Sequence, residues 1–235
     1  MNYFFQPEEL IEGIELTLTE EEGRHAVKVL RAAIGDHIHL INGMGQEAET
    51  EITNIKGARV DVVIQSVTTE KKHDHNLIIG LAILKKRDRL EWFIEKSVEL
   101  AADKIILFHS QHTEKSKVDH GRLQKIAITA LKQSGNLWLP EIVVDQDFKK
   151  LIGESFIGSK FIAHCREEQK PLLSKVYKAS ENALILIGPE GDFSEPEIKQ
   201  AIDKGFTPVS LGNLRLRSET AALTALMMLQ IANQK

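Results

Sequence analysis

The apolar and polar positions of the chain follow two different patterns, one before and one after residue 70. The first part has short alternating runs at 37–41, 48–55 and 59–67, separated by glycines, which is typical of a small β-barrel. Thr19 followed by three glutamates is a capping pattern, and it predicts one helix that extends to about Arg31. We therefore expect a small, strand-rich domain here.

Apolar segments beyond the polar stretch 68–76 alternate between strand-like and helix-like lengths. Predicted strands lie at 77–84, 104–108, 141–144, 161–164, 183–187 and 208–211, and predicted helices at 88–102, 122–134, 148–153, 172–179, 194–204 and 218–233. This alternation is typical of a parallel sheet covered by helices. The expected fold class is α/β, with residues 1–70 as a small β-barrel domain and residues 76–235 as a parallel-sheet domain.

Composition is that of an ordinary folded protein, because 42% of the 235 residues are hydrophobic and 27% are charged. No apolar run approaches the roughly 20 residues that a membrane-spanning helix needs, so no membrane partner is expected. The N-terminus has no basic region before its first acidic residues, so we expect no signal peptide. Cys165 is the single cysteine, which forbids an internal disulfide and fits a cytoplasmic location.

Clustered cations are more informative than the net charge of −4, which does not by itself indicate nucleic-acid binding. Lys85, Lys86, Arg87 and Arg89 surround the start of the helix predicted at 88–102. Cations at that end oppose the helix dipole, so an anionic partner such as RNA phosphate explains them better than stability does. A solvated loop is the plain alternative.

The predicted first helix carries a second group of cations. Arg24, Lys28 and Arg31 have the spacing i, i+4, i+7 and predict one basic stripe, while Val27 and Leu30 occupy another face. A stripe that simply faces solvent is the plain interpretation, and RNA contact is the functional one.

Two glycine-bearing loops follow predicted strands near the end of the chain. The sequence Gly-Pro-Glu-Gly at 188–191 follows the strand at 183–187, and a loop at 212–217 follows the strand at 208–211. Neither loop has the spacing of a Walker motif or of a dinucleotide-binding fingerprint. Because glycine lets the backbone approach a ligand closely, such loops suit a phosphate-free nucleoside, and S-adenosylmethionine (SAM) is one. The alternative is a plain strand-to-helix turn closed by a capping box at 194–197.

Four segments, in order, resemble the RsmE family, which are bacterial small-subunit ribosomal RNA (uracil-N3) methyltransferases of the SPOUT superfamily. They are 23–31 with Gly35-Asp36 after it, 85–100, Gln133-Ser134 before Pro140, and the paired loops IGPEGDFS at 187–194 and LGNLRLRSETA at 211–221. Each segment alone is weak, but together they span nearly the whole chain.

The resemblance implies an enzyme that transfers a methyl group from SAM to N3 of a uridine in 16S ribosomal RNA of the small ribosomal subunit. It also implies a PUA-like N-terminal domain, a C-terminal domain with a deep trefoil knot, and a homodimer whose pockets are each completed by the partner. A methyltransferase acting on a ribose 2′-hydroxyl or another base is an alternative. So is a non-catalytic, RNA-binding ribosome assembly factor.

The loops and cation clusters supply the candidate site residues. Arg217 is the expected catalytic residue, because a guanidinium can receive the negative charge that develops on the uracil oxygens. Glu219 is expected to orient Arg217 or to accept the N3 proton, and its plain role is a favourable charge at a helix start. The expected SAM-binding residues are His164, Gly188, Pro189, Glu190, Gly191, Leu211, Gly212 and Leu216. The expected RNA-binding residues are Arg24, Lys28, Arg31, Lys85, Lys86, Arg87, Arg89 and Arg215.

Several positions depart from the family's usual residues. Asp192 replaces the third loop glycine, and Leu214 replaces an arginine, with the basic residue at Arg215 instead. The other departures are Lys132 for a glutamate, Asn136 for an arginine and Lys115 for an arginine. We expect these changes to affect individual RNA contacts more than the methyl-donor pocket.

Histidine pairs suggest metal binding only superficially. His73 and His75 form one pair, and His109 and His112 form another, but neither has a third ligand at a supporting spacing. We therefore expect no metal.

Overall fold

The computed structural model describes residues 3–114, 117–166 and 169–234, and Lys115, one of the departures above, lies outside them. The chain divides into two compact units. The first contains the chain up to Lys72 together with Ile128–Leu139, and the second contains His73–Ala127 and the chain from Pro140 onward. Residues 128–139 thus group with the first unit, which a single boundary after residue 70 does not include.

The first unit is a mixed five-stranded sheet with one helix of its own and the end of a second helix, residues 128–134. Its elements are β1 (Tyr3–Phe5), β2 (Glu15–Thr17), α1 (Glu20–Lys28), β3 (His37–Ile41), β4 (Gln46–Lys56) and β5 (Arg59–Thr69), and the strand order is β1-β3-β4-β5-β2. β1 pairs parallel to β3, and the other pairs are antiparallel. The three strands expected here are confirmed. β1 and β2 were not expected, because three residues are too few to show an alternating pattern.

Helix α1 begins where the sequence predicts and ends earlier. The Thr19 hydroxyl accepts a hydrogen bond from the Glu22 N–H at 3.4 Å, as an N-cap does. The helix ends at Lys28, and Arg31 lies beyond it with a left-handed φ of 56°. The prediction of a helical stripe through Arg24, Lys28 and Arg31 is therefore wrong, although all three side chains are exposed.

Glu22 does not complete a capping box with Thr19. Its buried carboxylate instead accepts hydrogen bonds from the Phe5 N–H at 3.2 Å and from Lys132 Nζ at 2.6 Å. Lys132 is one of the departures from the RsmE pattern, and here its charge compensates a buried anion, which is unfavourable without a partner. The helix start is thus tied to β1 and to the segment 128–139.

The second unit is a six-stranded parallel sheet. Its elements are β6 (Leu77–Ala82), α2 (Arg87–Glu99), β7 (Lys104–His109), α3 (His120–Ser134, shared with the first unit), β8 (Glu141–Asp147), α4 (Phe148–Gly153), β9 (Ser159–Ala163), α5 (Leu173–Val176), β10 (Ala183–Ile187), α6 (Glu195–Asp203), β11 (Thr207–Val209) and α7 (Ser218–Asn233). The strand order is β11-β9-β10-β6-β7-β8, and every pair is parallel. The expected parallel α/β sheet is confirmed.

Helices cover the central strands of this sheet on both faces. All five residues of β10 are buried, which is why its sequence is continuously apolar rather than alternating. Leu184 and Leu186 belong to the core that contains residues of α4 and α6. Ile185 and Ile187 alternate with them and face the other side, where α7 packs on β10 and β6. None of the helices that the structure describes has the length and apolar character that crossing a membrane requires.

Replacing Gly45 by alanine should destabilise the first unit more than the same change at Gly57. Both glycines have a left-handed φ, +87° and +66°, so each alanine variant carries backbone strain of about 1–2 kcal/mol. A Cβ at Gly45 would also overlap the Trp138 indole, whereas a Cβ at Gly57 meets nothing within 4 Å. We expect Gly45→Ala to lose roughly 1–3 kcal/mol more than Gly57→Ala in urea unfolding. Equal losses would show that the contact between Gly45 and Trp138 is not tight.

Candidate functional site

A cavity of about 650 Å³ lies at the carboxyl ends of three neighbouring strands, β9, β10 and β11. Three loops line it, with residues 163–166 and 170 from the first, 187–190 and 192 from the second, and 209–218 from the third. Ligands of open parallel sheets bind at this edge, because the loops that leave neighbouring strands converge there. The volume is within the usual range for a site that binds a small molecule.

The loop after β10 is built tightly on its own backbone. Gly188 and Pro189 are buried, and a Cβ on Gly188 would lie 3.1 Å from the Phe193 nitrogen. The Asp192 N–H donates to the Pro189 carbonyl at 2.9 Å, which closes the turn. The predicted capping box is confirmed, because the Glu197 carboxylate accepts from the Ser194 N–H at 2.9 Å and the Ser194 side chain accepts from the Glu197 N–H. The capping box and the cavity are therefore present together.

The loop after β11 presents backbone to the cavity. Gly212 has a φ of +137° and open space where a Cβ would be. Its N–H donates to the Ser210 Oγ at 3.2 Å, and the same hydroxyl donates back to the Gly212 carbonyl at 3.0 Å. Leu211 and Leu216, half-buried, add apolar surface beside it.

The loop after β9 forms the third wall. His164 is buried and lines the cavity, as the sequence predicts. Lys170 Nζ donates to the His164 carbonyl at 2.7 Å and to its Nδ1 at 3.1 Å, which folds the loop back on itself. Cys165 and Arg166 are exposed and also line the cavity.

Of the eight expected SAM-binding residues, seven line this cavity, namely His164, Gly188, Pro189, Glu190, Leu211, Gly212 and Leu216. Gly191 lies in the same loop, packed against His112, because a Cβ there would be 3.1 Å from the His112 Cβ. Sequence reasoning missed Cys165, Arg166 and Lys170. The signal that could have found them is their position directly after the strand predicted at 161–164. The loop after this strand lies at the cavity because β9 pairs with both β10 and β11.

The two expected catalytic residues have different surroundings. Arg217 is exposed, lines the cavity and is the N-cap residue of α7. Glu219 is buried, and its ion pair is with Arg89, with 3.6 Å between Oε1 and Nε, rather than with Arg217. In the part of the chain that the structure describes, the Glu219 Oε2 has no hydrogen-bond partner.

Several of the expected RNA-binding cations already have carboxylate partners. Lys85 Nζ lies 3.0 Å from Glu114, and the Arg87 Nε donates to Glu91 at 2.7 Å. Arg122 also binds Glu91, and its hydrogen bond is the largest cause that holds the pKa of Glu91 below the ordinary value.

The remaining cations of this group differ in their exposure. Arg24 pairs with Glu20 within α1. Lys86 is exposed at the start of α2, and Arg215 is exposed in the loop that lines the cavity. Arg89 is largely enclosed, because only 24% of its side chain is exposed.

The lining of the cavity fits a charged nucleoside. The apolar residues Ile187, Val209 and Leu211 line it beside Gly188 and Gly212, and acidic and basic residues line it as well. The Glu190 carboxylate suits a sulfonium, and the cations of the lining suit an anionic group of the same ligand. Among residues 3–114, 117–166 and 169–234, no group of three or more histidine, cysteine, aspartate or glutamate side chains is placed to hold a metal ion.

Removing Arg89 should cost stability, because it leaves the Glu219 carboxylate buried without its cation. We expect Arg89→Met to lower the free energy of unfolding by about 1–3 kcal/mol, less than for a fully buried pair because Arg89 is partly exposed. Arg89→Met combined with Glu219→Gln should recover most of this loss in urea unfolding. Arg87→Met is the matched control, and it should cost under about 1 kcal/mol, because Glu91 keeps Arg122. A loss at Arg87 as large as that at Arg89 would contradict this account.

Comparison with known proteins agrees with the geometry. A family model described as an RNA methyltransferase domain matches residues 70–230, and one described as an RNA methyltransferase PUA domain matches residues 18–65. Ribosomal RNA small subunit methyltransferase E of Bacillus subtilis is 29% identical over an alignment 240 residues long, and the alignment covers 95% of this chain and 93% of that protein.

Solved structures agree over almost the full length. A probable rRNA-methyltransferase from Porphyromonas gingivalis is 32% identical with a TM-score of 0.92, and the match covers 99% of this chain and 98% of that one. Ribosomal RNA small subunit methyltransferase E from Neisseria gonorrhoeae, bound to S-adenosyl methionine, is 28% identical with a TM-score of 0.87 and the same coverage. The chain therefore belongs to the RNA methyltransferase family that these models describe, and its resemblance to the RsmE enzymes is confirmed.

Proposed function

We propose that this protein is a SAM-dependent methyltransferase that methylates N3 of a specific uridine in 16S ribosomal RNA of the small ribosomal subunit. The observation that carries the proposal is the cavity at the carboxyl ends of β9, β10 and β11. The similar structure from Neisseria gonorrhoeae was solved bound to S-adenosyl methionine. The specificity for uracil N3 and the ribosomal subunit as substrate rest on the RsmE resemblance.

The backbone of two loops would hold the methyl donor. Gly188 to Glu190 in one loop and Leu211, Gly212 and Leu216 in the other line the cavity together with His164. Bound there, SAM would supply an electrophilic methyl group for in-line transfer to the acceptor nitrogen. The loops contribute by fixing orientation, since alignment alone can supply a large part of a rate enhancement.

Arg217 is the residue that we assign to the acceptor base. When the N3 proton leaves, negative charge spreads over the uracil ring and its two carbonyl oxygens. A guanidinium is always protonated and offers a fixed fork of donors, so it suits that charge. Arg217 lines the cavity and is exposed, which supports contact with both donor and acceptor.

Glu219 is buried next to the cavity lining and is not part of it. Glu219 is the second residue of α7, two positions after Arg217. Its ion pair with Arg89 joins α7 to α2. We therefore infer a positioning role for Glu219. Proton acceptance by Glu219 has less support, because its side chain is buried and lies outside the residues that line the cavity.

RNA binding is assigned to the exposed cations. Lys86 and Arg215 in the second unit and Lys28 and Arg31 in the first have exposed side chains, and we infer that they contact phosphates. Three further candidates are held in ion pairs, Lys85 with Glu114, Arg87 with Glu91 and Arg24 with Glu20. Each pair would have to break before its cation could contact a phosphate. Arg89 is the weakest of the eight candidates, because its partner is buried.

Three finer features of the fold also remain proposals. The register shifts between the long strands β4 and β5 support a sheet that curls into a small barrel, since bulges increase strand twist. A knotted C-terminus is supported by the path of the chain, in which β11 lies at the sheet edge while α7 returns to pack on β6 and β10. A homodimer is supported by exposed apolar side chains on two packed helices, Trp92 of α2 and Ile231 of α7.

Calorimetric titration of the purified protein with SAM tests the donor assignment. We expect one SAM bound per chain with the same affinity in the presence and absence of a chelator, because the cavity offers backbone and charged side chains for the ligand. Absence of binding under both conditions would contradict the proposed function.

Two arginines of one loop should separate catalysis from RNA binding. Arg217→Ala should lower turnover at saturating RNA and SAM by roughly 100-fold or more, because charge stabilisation is lost in the transition state. Arg215→Ala, its matched control in the same loop, should weaken RNA affinity and leave saturated turnover within a few fold. Single-turnover rates and RNA-binding curves provide the two measurements. Normal saturated turnover in Arg217→Ala would assign Arg217 to phosphate binding instead.

A further inference from the structure

Asp192 stands where the RsmE pattern usually has a third glycine, and its backbone explains why glycine suits the position. The φ of Asp192 is 64°, in the left-handed region that most side chains avoid. Aspartate is one of the few other residues that tolerate this region. The substitution therefore keeps the loop conformation and adds a carboxylate to the wall of the cavity.

Both oxygens of that carboxylate accept backbone hydrogen bonds. Oδ1 accepts from the Phe193 N–H at 2.8 Å, within the same loop. Oδ2 accepts from the Cys165 N–H at 2.8 Å, in the loop after β9. The Asp192 carbonyl in turn accepts a hydrogen bond from His112 Nδ1 at 2.9 Å. A single residue thus joins three segments that leave β7, β9 and β10.

We propose that Asp192 is a positioning residue that fastens the β9 loop to the β10 loop and so holds the methyl-donor cavity in its binding shape before the donor arrives. Cys165 and Asp192 both line the cavity, so their hydrogen bond connects two of its walls directly. Hydrogen bonds to an ionised acceptor are stronger than neutral ones. A glycine at position 192 provides no such hydrogen bond. The loops after β9 and β10 must then be ordered when SAM binds, and this lowers the apparent affinity for SAM.

The proposal rests on the SAM-binding function proposed above, and Asp192→Gly tests it. Glycine can adopt the left-handed backbone of Asp192 and removes the side chain that carries the carboxylate. We expect SAM affinity to fall about tenfold, with a matching rise in the KM for SAM and with kcat and the KM for RNA within about twofold of wild type. Hydrogen exchange of the Cys165 amide should become at least about tenfold faster in the ligand-free variant, because that amide loses its acceptor.

Asp145→Gly is the matched control. Asp145 is also an aspartate with a left-handed φ, 57°, and its exposed carboxylate contacts His109 rather than the cavity. This variant should leave SAM affinity and Cys165 exchange unchanged.

Two results would overturn the proposal. One is Asp192→Gly with wild-type SAM affinity. The other is weaker SAM binding with unchanged Cys165 exchange, since the carboxylate would then act on the ligand directly. If the wild-type protein bound no SAM, the proposed function would fail, yet Cys165 exchange in the ligand-free protein would still decide whether the fastening exists.

Discussion

The parallel pairing of β9 with both β10 and β11 is the constraint on which the site depends. Because these strands run in the same direction, their carboxyl ends meet at one edge, and three loops distant in sequence enclose one cavity. The pairing itself is secured by burial, since every residue of β10 is buried. Hydrophobic burial at the sheet centre thus fixes the geometry of polar groups at its edge.

Backbone, more than side chains, shapes the donor cavity. Gly188 is required by the close approach of Phe193, and Gly212 by a φ that side chains rarely adopt. Asp192 shows that a left-handed position need not be glycine when its carboxylate finds N–H donors in two loops. The charged residues then divide by environment, with Arg217 exposed at the cavity and Glu219 buried beside Arg89.

Local patterns predicted the elements well, and distant pairings poorly. The continuous apolar run of β10 and the alternation in β3 are properties of neighbouring residues, so both strands were predicted with the bounds observed. The end of α1 at Lys28 and the left-handed φ of Arg31 beyond it are not visible in the periodicity of the sequence. The pairs of Arg89 with Glu219 and of Lys132 with Glu22 join residues more than a hundred positions apart, so only the folded chain could show them.

The central claim is methyl transfer from SAM to uracil N3 of 16S ribosomal RNA, and isotope transfer tests it most directly. Small ribosomal subunits that lack the modification would be incubated with the protein and methyl-labelled SAM, and the RNA then digested to nucleosides. We expect label in the RNA as N3-methyluridine, and far less with Arg217→Ala over the same interval. Label in a 2′-O-methylated nucleoside or another base, or no label in RNA at all, would contradict it.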